Sequence, residues 1–155
     1  MTSGADGHPT SPQHHALTVA LAYLEALGGS DPSAVADLVA EGFRNEHHAE
    51  LGSGCEGRDE YRRRLPGFFA TFPNRHYQIV EAAVGQLVTG GHGSSPTGGT
   101  TEVVVRYRFG ADVDGTRIDI PGIMWITVEG DRVTRRLDGW DSLTFHRQTG
   151  TDPGR

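Results

Sequence analysis

Three side chains near the end of the chain bring a carboxylate, a guanidinium and an indole together. Residues 121–145 contain two apolar runs that meet at residues 129–131, a turn typical of a β-hairpin because glycine tolerates positive φ. Along the second strand, alternation places Arg136, Asp138 and Trp140 on one face. Buried charges need partners, so either these charges pair with each other at an edge, or this face lines a cavity where the carboxylate acts on a ligand.

A second polar set lies in the stretch FRNEHHAEL that follows Gly42. If this stretch is a regular strand, Phe43, Asn45 and His47 share one face. Imidazole exchanges protons near neutrality, and an apolar cavity raises the pKa of a carboxyl group toward the same range. The two groups together could move a proton next to a carbonyl, and this chemistry needs no metal or cofactor.

Composition limits the classes of partner. The 155 residues predict a single domain, and the formal net charge of -6 argues against nucleic acid or an anionic membrane as a partner. Cys55 is the only cysteine, which excludes an internal disulfide. The eight histidines show no third ligand at metal-site spacing, and no apolar run has the length of a membrane span or the position of a signal peptide. We expect a soluble cytoplasmic protein without a metal site.

Helical periodicity dominates the first half of the chain. It predicts one helix over about residues 14–27, a second that Ser30 or Asp31 caps, and a third over 58–72 that Pro66 should kink or split. The arginines at 62–64 are predicted to form a solvated face. The inward side chains of the third helix are predicted to be Tyr61, Leu65, Phe68, Phe69 and Phe72; those of the second are Val35, Leu38 and Val39.

Strand patterns dominate the second half. A strand is predicted from His76 to about residue 88, and Val103, Val105, Tyr107 and Phe109 alternate on one face of the next. Residues 1–13, the loop around 90–99 and residues 148–155 are predicted to be disordered. The order of elements predicts an α+β domain over 14–147, with a curved antiparallel sheet wrapped over about three N-terminal helices and a pocket at the end of this cone.

Three stretches carry a resemblance to a known family. The opening ALAYLEALGGSDPSAVADLVAEGF, the helix GRDEYRRRLPGFFATFP and the closing GDRVTRRLDGWDSL resemble the nuclear transport factor 2-like superfamily, and most of all its SnoaL-like polyketide cyclase branch. The superfamily includes polyketide cyclases, ketosteroid isomerases, limonene epoxide hydrolases and dehydratases, together with non-catalytic adaptors. The resemblance therefore implies a cystatin-like cone but does not select one of these activities.

The resemblance also implies roles for individual residues. Asp138 lies where the cyclases and epoxide hydrolases carry a catalytic aspartate, and Tyr23 lies where the isomerases carry an oxyanion-donor tyrosine. His47 matches the base aspartate of the isomerases, and Asn45 resembles the water-positioning asparagine of the epoxide hydrolases. Met124 occupies about the position of a protonated aspartate in the isomerases, so the chain departs from their pattern there.

These observations predict a cofactor-independent general acid/base enzyme that acts on a small, largely apolar carbonyl or epoxide compound. The alternative is a non-catalytic ligand-binding or dimerisation module, in which Asp138 pairs with an arginine and Tyr23 is a core aromatic. A homodimer is expected, because strands carrying Ile123 and Trp125 would otherwise leave a partly apolar face in water. The predicted catalytic residues are Asp138, His47 and Tyr23; the predicted substrate-binding residues are Asn45, Phe68, Phe69, Met124, Arg136 and Trp140.

Overall fold

The computed structural model describes residues 11–49, 52–87 and 99–151. Within these ranges the chain forms four helices and six strands. The predicted loop around 90–99 and the outer parts of both predicted tails lie almost wholly outside the described residues. The helices are α1 (Pro12–Leu27), α2 (Pro32–Ala36), α3 (Arg58–Thr71) and α4 (Ser142–Thr149); the strands are β1 (Val39–His47), β2 (Cys55–Glu56), β3 (His76–Gly85), β4 (Thr100–Val113), β5 (Thr116–Glu129) and β6 (Arg132–Trp140).

The six described strands form one sheet in the order β2-β1-β6-β5-β4-β3. Strands β3 to β6 are joined in sequence as antiparallel neighbours, and the two tight turns use Asp114 and Gly115 (φ 49° and 80°) and Gly130 (φ 57°). The predicted α+β class with a curved sheet is confirmed. The sheet is mixed rather than wholly antiparallel, because β1 pairs with β6 in parallel. No hairpin links these two strands, so no turn fixes their relative direction.

Local capping explains where the first two helices begin. The Ser11 hydroxyl accepts a hydrogen bond from the His14 amide at 3.2 Å, and α1 starts at Pro12, two residues before the predicted position. The Asp31 carboxylate caps α2 by accepting from the Ser33 amide at 2.9 Å. Helix α2 ends at Ala36, and Val39, which was predicted in its apolar stripe, instead begins β1.

Helix α3 continues through Pro66 rather than being split there. Pro66 lies on the exposed side of the helix, where water can bond the carbonyl that proline leaves without a helical donor. Tyr61 and Leu65 on the opposite side are buried in the core. Helix α3 is therefore a continuous wall that packs against β1 and α2.

A fourth helix follows β6, where the sequence predicted the end of a strand and a loose tail. The Asp141 carboxylate accepts from the Thr144 amide at 2.9 Å, and Gly150 ends the helix at φ 69°. The Gln148 side chain joins the helix to β5 through the Asp119 amide and carbonyl, at 2.7 and 3.0 Å. Helix α4 extends to Thr149, beyond residue 147, the predicted end of the domain.

The helices cover the inner face of the sheet and leave its outer face uncovered by helices. Tyr23, Phe43, Val105 and Met124 belong to the inner core and are at most 1% exposed, whereas Ile123 on the outer face is 54% exposed. No helix in the described ranges is long and apolar enough to cross a membrane.

Candidate functional site

A cavity of about 460 Å³ lies between the inner face of the sheet, α3 and α4. A volume of this size is typical of small-molecule sites. Aromatic and aliphatic side chains supply most of the lining, and polar groups gather on β1 and β6. The lining residues are Leu27, Asn45, His47, Gly52, Ser53, Tyr61, Arg64, Leu65, Phe68, Phe72, Tyr77, Tyr107, Phe109, Ile120, Arg136, Asp138, Trp140 and Phe145.

The parallel pairing of β1 with β6 brings four of the predicted site residues together. Asn45 is in register with Arg136, and His47 is in register with Asp138. All four line the cavity, because paired residues on neighbouring strands point to the same face of a sheet. We refer to Asn45, His47, Arg136 and Asp138 as the polar cluster.

The Asp138 carboxylate is buried and has a donor at each oxygen. Arg136 Nη2 donates to Asp138 Oδ2 at 2.5 Å, and the Tyr107 hydroxyl donates to Asp138 Oδ1 at 2.6 Å. Asp138 and Arg136 are 3% and 5% exposed. The sequence left two interpretations of Asp138 open, a structural ion pair or a place in a cavity lining. Both describe it, since Asp138 forms an ion pair with Arg136 and also lines the cavity.

Tyr107 reaches Asp138 because Gly122 lies between them. Tyr107 is on β4 and Asp138 is on β6, so the phenol must pass over β5, where Gly122 is its register partner. A Cβ atom at Gly122 would lie 2.4 Å from both Cζ and the hydroxyl of Tyr107. Burial, followed by the charge of Asp138, raises the pKa of Tyr107, so its hydroxyl stays protonated and donates. The sequence analysis placed Tyr107 on one face with Val103, Val105 and Phe109 but gave it no role; a glycine inside an apolar strand was the available signal.

Three buried polar atoms of the polar cluster have no hydrogen-bond partner among the described residues. They are Asn45 Oδ1, His47 Nδ1 and Arg136 Nε. A buried polar atom without a partner costs about 1–3 kcal/mol, so such atoms in a cavity indicate a partner that a ligand or water supplies. Burial lowers the pKa of His47, and the charge of Arg136 lowers it further. The imidazole is therefore neutral at pH 7.

Tyr23, which was predicted to contact the substrate, lies behind another tyrosine. Its side chain is fully buried in the core, is not part of the cavity lining, and bonds the Tyr61 hydroxyl at 2.6 Å. Tyr61 is the partner that lines the cavity. Burial raises the pKa of both phenols, which keeps both hydroxyls protonated.

Besides Asn45 and Arg136, two more of the predicted substrate-binding residues line the cavity and two do not. Phe68 and Trp140 contribute to the lining. The ring of Phe69 instead lies under the guanidinium of Arg75, whose Cζ is 3.2 Å from the ring centroid. Met124 is fully buried in the β-sheet core beside Asp138. Neither Phe69 nor Met124 belongs to the cavity lining.

Helix α4 completes a set of packed rings that the sequence did not predict. Neighbouring ring centroids are 5.3 to 6.4 Å apart, and tilted or edge-to-face contacts predominate. Phe145 joins the set from α4, where the sequence predicted the end of a strand followed by a loose tail. We call this set the aromatic wall; its members are Phe68, Phe72, Phe109, Trp140 and Phe145.

No group of three or more His, Cys, Asp or Glu side chains in the described ranges is placed to hold a metal ion. The donors and acceptors of the polar cluster are instead suited to proton exchange and hydrogen bonding. This geometry allows the neutral imidazole of His47, the fixed carboxylate of Asp138 and the protonated phenol of Tyr107 to contact the same small molecule.

The sequence profile of the SnoaL-like domain matches residues 20–136 of the chain. The chain belongs to the SnoaL-like family. This membership confirms the resemblance to the nuclear transport factor 2-like superfamily. No curated protein is similar enough in sequence to count as a match.

Solved structures share the fold of this SnoaL-like chain at low sequence identity. A protein from Catenulispora acidiphila with a ketosteroid isomerase-like fold, in complex with trimethylamine, is 20% identical with a TM-score of 0.68 over 86% of this chain and 93% of its own. A protein from a Jannaschia species, described by its similarity to SnoaL-like polyketide cyclases, is 18% identical, with a TM-score of 0.67 over 95% of this chain and 100% of its own. TerC, crystallised with polyporic acid, is 15% identical with a TM-score of 0.65 over 88% and 99%. These identities show a shared fold alone.

Proposed function

We propose that this SnoaL-like protein is a cofactor-independent enzyme that acts by general acid/base catalysis on a small, largely apolar carbonyl or epoxide compound. One observation carries the proposal: a buried ring nitrogen of His47 has no hydrogen-bond partner among the described residues, and His47 lies beside a carboxylate in an otherwise largely aromatic cavity. Such a constellation is typical of sites that exchange protons with a ligand.

His47 is the proposed proton acceptor. Its lowered pKa keeps the imidazole neutral, so a ring nitrogen can take a proton from the carbon next to a substrate carbonyl. Asp138, in register beside it, would stabilise the imidazolium that forms. Arg136 and Tyr107 hold the carboxylate in place for this role.

The developing enolate oxygen needs a donor on the same side of the cavity. Arg136 Nε is buried without a partner in the described structure, and Tyr61 lines the cavity with a hydroxyl that Tyr23 orients. Donors that are fixed before the reaction stabilise such an oxyanion without reorganising. The imidazolium could then return its proton to a different atom, which gives an isomerisation or supports a ring closure.

Structural neighbours support a small molecule as the occupant. TerC was co-crystallised with polyporic acid, and the Catenulispora protein is in complex with trimethylamine. The cavity of about 460 Å³ has room for a compound of two or three rings. The aromatic wall favours a flat apolar body, because ring stacking adds to the burial of apolar area.

The second candidate is a ligand-binding module without catalysis. The observation that favours it is the complete pairing of Asp138, whose two oxygens are held by Arg136 and Tyr107. In that case the polar cluster orients a ligand by hydrogen bonds, and His47 contributes an acceptor rather than a base.

Hydrogen-deuterium exchange of 2-tetralone in heavy water separates the two candidates. This bicyclic ketone has exchangeable protons next to its carbonyl, and its binding is followed by the fluorescence of Trp140. The proposal predicts saturable acceleration of exchange above the buffer rate. Binding without acceleration would favour the module, and an absence of binding would contradict both candidates.

We further propose a homodimer formed through the outer face of the sheet. Ile123 is 54% exposed there, beside Val104 and the Arg106–Glu81 ion pair, and covering it would remove apolar surface from water. Sedimentation at micromolar concentration should show twice the 16.7 kDa mass of the chain, and Ile123→Lys should shift it to the monomer. A monomeric wild type would contradict the proposal.

A further inference from the structure

Three consecutive arginines on α3 have three different environments. Arg62 Nη2 donates to Asp37 at 2.8 Å, and Arg63 pairs with Glu60 on the helix surface. Arg64 instead lines the cavity. It shares a helical stripe with Tyr61, Leu65 and Phe68, which line the same cavity at spacings of three and four residues.

The guanidinium of Arg64 is held in place before any ligand binds. Its Nε donates to Glu60 Oε1 at 2.7 Å, and its Nη1 donates to Ser53 Oγ at 3.1 Å and to the Gly54 carbonyl at 2.8 Å. A guanidinium has five N–H groups, and these contacts engage three of them. Nη2 has no hydrogen-bond partner in the part of the chain that the structure describes, so its two N–H groups remain available.

The charges around Arg64 leave an excess positive charge. Glu60 is shared between Arg63 and Arg64, so two guanidinium groups meet one carboxylate. Among the described residues that line the cavity, Asp138 is the sole carboxylate, and Arg136 already neutralises it. The described lining therefore has a formal charge of +1 from Arg64, whose Nε also pairs with Glu60 outside the lining, although the whole chain has a formal net charge of -6.

We propose that Arg64 is the anion-recognition residue of this cavity and that its ligand joins an apolar body to a carboxylate. The inference rests on the proposed small-molecule function and adds a substrate class to it. The carboxylate binds Arg64 Nη2, the apolar body contacts the aromatic wall, and the carbonyl end reaches the polar cluster. A single carboxylate matches the single excess charge, and charge-assisted hydrogen bonds to a fixed guanidinium are stronger than neutral ones.

Two matched probes test this assignment by calorimetry. They are 2-naphthaleneacetate and its neutral methyl ester, which differ mainly in charge. Wild type should bind the acid about three- to fivefold more tightly than the ester, as expected for a partly exposed ion pair, and added salt should reduce this preference. Arg64→Gln should abolish the preference, because it removes the charge that distinguishes the acid from the ester. Arg62→Gln is the matched control, because Arg62 pairs with Asp37 and does not contact Glu60; it should keep the preference.

Each outcome decides between the claims. Equal binding of acid and ester by wild type, or a preference that survives Arg64→Gln, would overturn the inference and leave the proposed function standing. If neither probe binds, the proposed function and the inference fail together. Arg64→Lys provides a second variant if Arg64→Gln does not fold. Lysine keeps the charge but lacks the planar guanidinium with its several donors, so this variant should retain part of the preference.

Discussion

The polar cluster and the aromatic wall line different parts of one cavity and are built by different rules. In the aromatic wall each ring packs against at least one other ring, at centroid distances up to 6.4 Å. In the polar cluster, Asn45, His47 and Arg136 each have a buried polar atom without a partner in the described structure. The wall is complete without a ligand and the cluster is not, which indicates that the wall provides shape and the cluster provides chemistry.

The two sides also differ in how they contribute to stability. The wall stabilises the fold through apolar area removed from water. Within the cluster, Asp138 and Arg136 must compensate each other, because each alone would be a buried charge. Substitutions on the two sides should therefore have effects of different size and different pH dependence.

The largest expected effect comes from breaking the buried ion pair. Asp138→Ala leaves the Arg136 charge and the Tyr107 hydroxyl without their partner, and should lower the free energy of unfolding by about 3–5 kcal/mol. Urea denaturation followed by circular dichroism measures it. The control is the double variant Asp138→Leu with Arg136→Met, which removes both charges and should cost much less. Equal losses for the single and double variants would show that the unpaired charge is not the cause.

The next largest effect tests the hydrogen bond between Tyr107 on β4 and Asp138 on β6, which passes over β5. Gly122→Ala places a Cβ where the Tyr107 phenol now lies, and this overpacking should cost about 1–3 kcal/mol. Thermal unfolding measures it. Gly85→Ala is the matched control, since an added Cβ at this strand glycine meets no atom within 4 Å. If the two variants unfolded at the same temperature, Gly122 would not be needed for the Tyr107 contact.

A smaller effect is expected from the aromatic wall. Phe145→Leu removes a half-buried ring that contacts Phe72 and Trp140, and should cost about 1 kcal/mol while weakening the binding of 2-tetralone. Leu143→Ala, at a position on the same helix that is 48% exposed, is the control and should leave binding unchanged. Unaltered ligand binding in Phe145→Leu would contradict the role of α4 in the cavity.

The smallest effect concerns the pH dependence of stability. The pKa of His47 is lowered in the folded protein from 6.5, so the unfolded chain binds this proton more readily. The stabilisation is present above about pH 6.5 and is lost as the pH falls through this value toward the lower folded pKa. Stability curves of wild type and His47→Gln should therefore diverge below pH 6.5, with wild type losing more. Parallel curves between pH 8 and 5 would show that burial does not disfavour the imidazolium.

The sequence predicted which residues share a face better than it predicted which strands are neighbours. Alternation placed Arg136, Asp138 and Trp140 together, and Asn45 with His47, as the structure has them. Nothing local indicates that β1 lies in parallel beside β6, because pairing between strands distant in sequence depends on the whole fold. The polar cluster could therefore be assembled only from the structure or through a family resemblance.

The remaining differences between the predicted and the observed site have local causes. The contact between Tyr107 and Asp138 depends on the register that brings Gly122 under the phenol, and register is not visible in one strand. Helix α4 carried an Asp141 cap and a terminal Gly150, but its polar composition favoured a tail. Phe69 and Tyr23 share helical faces with lining residues but do not line the cavity themselves. Phe69 stacks with Arg75, and Tyr23 lies behind Tyr61.

The division between chemistry and shape is tested most directly by the kinetics of 2-tetralone exchange in two variants. His47→Gln should lower kcat by about 100-fold or more, the usual contribution of a positioned base, with KM nearly unchanged. Phe145→Leu should raise KM several-fold with kcat nearly unchanged, because the ring contributes to binding alone. If His47→Gln retained the wild-type kcat, or if both variants changed the same parameter, the assignment of catalysis to the polar cluster and of binding to the aromatic wall would be contradicted.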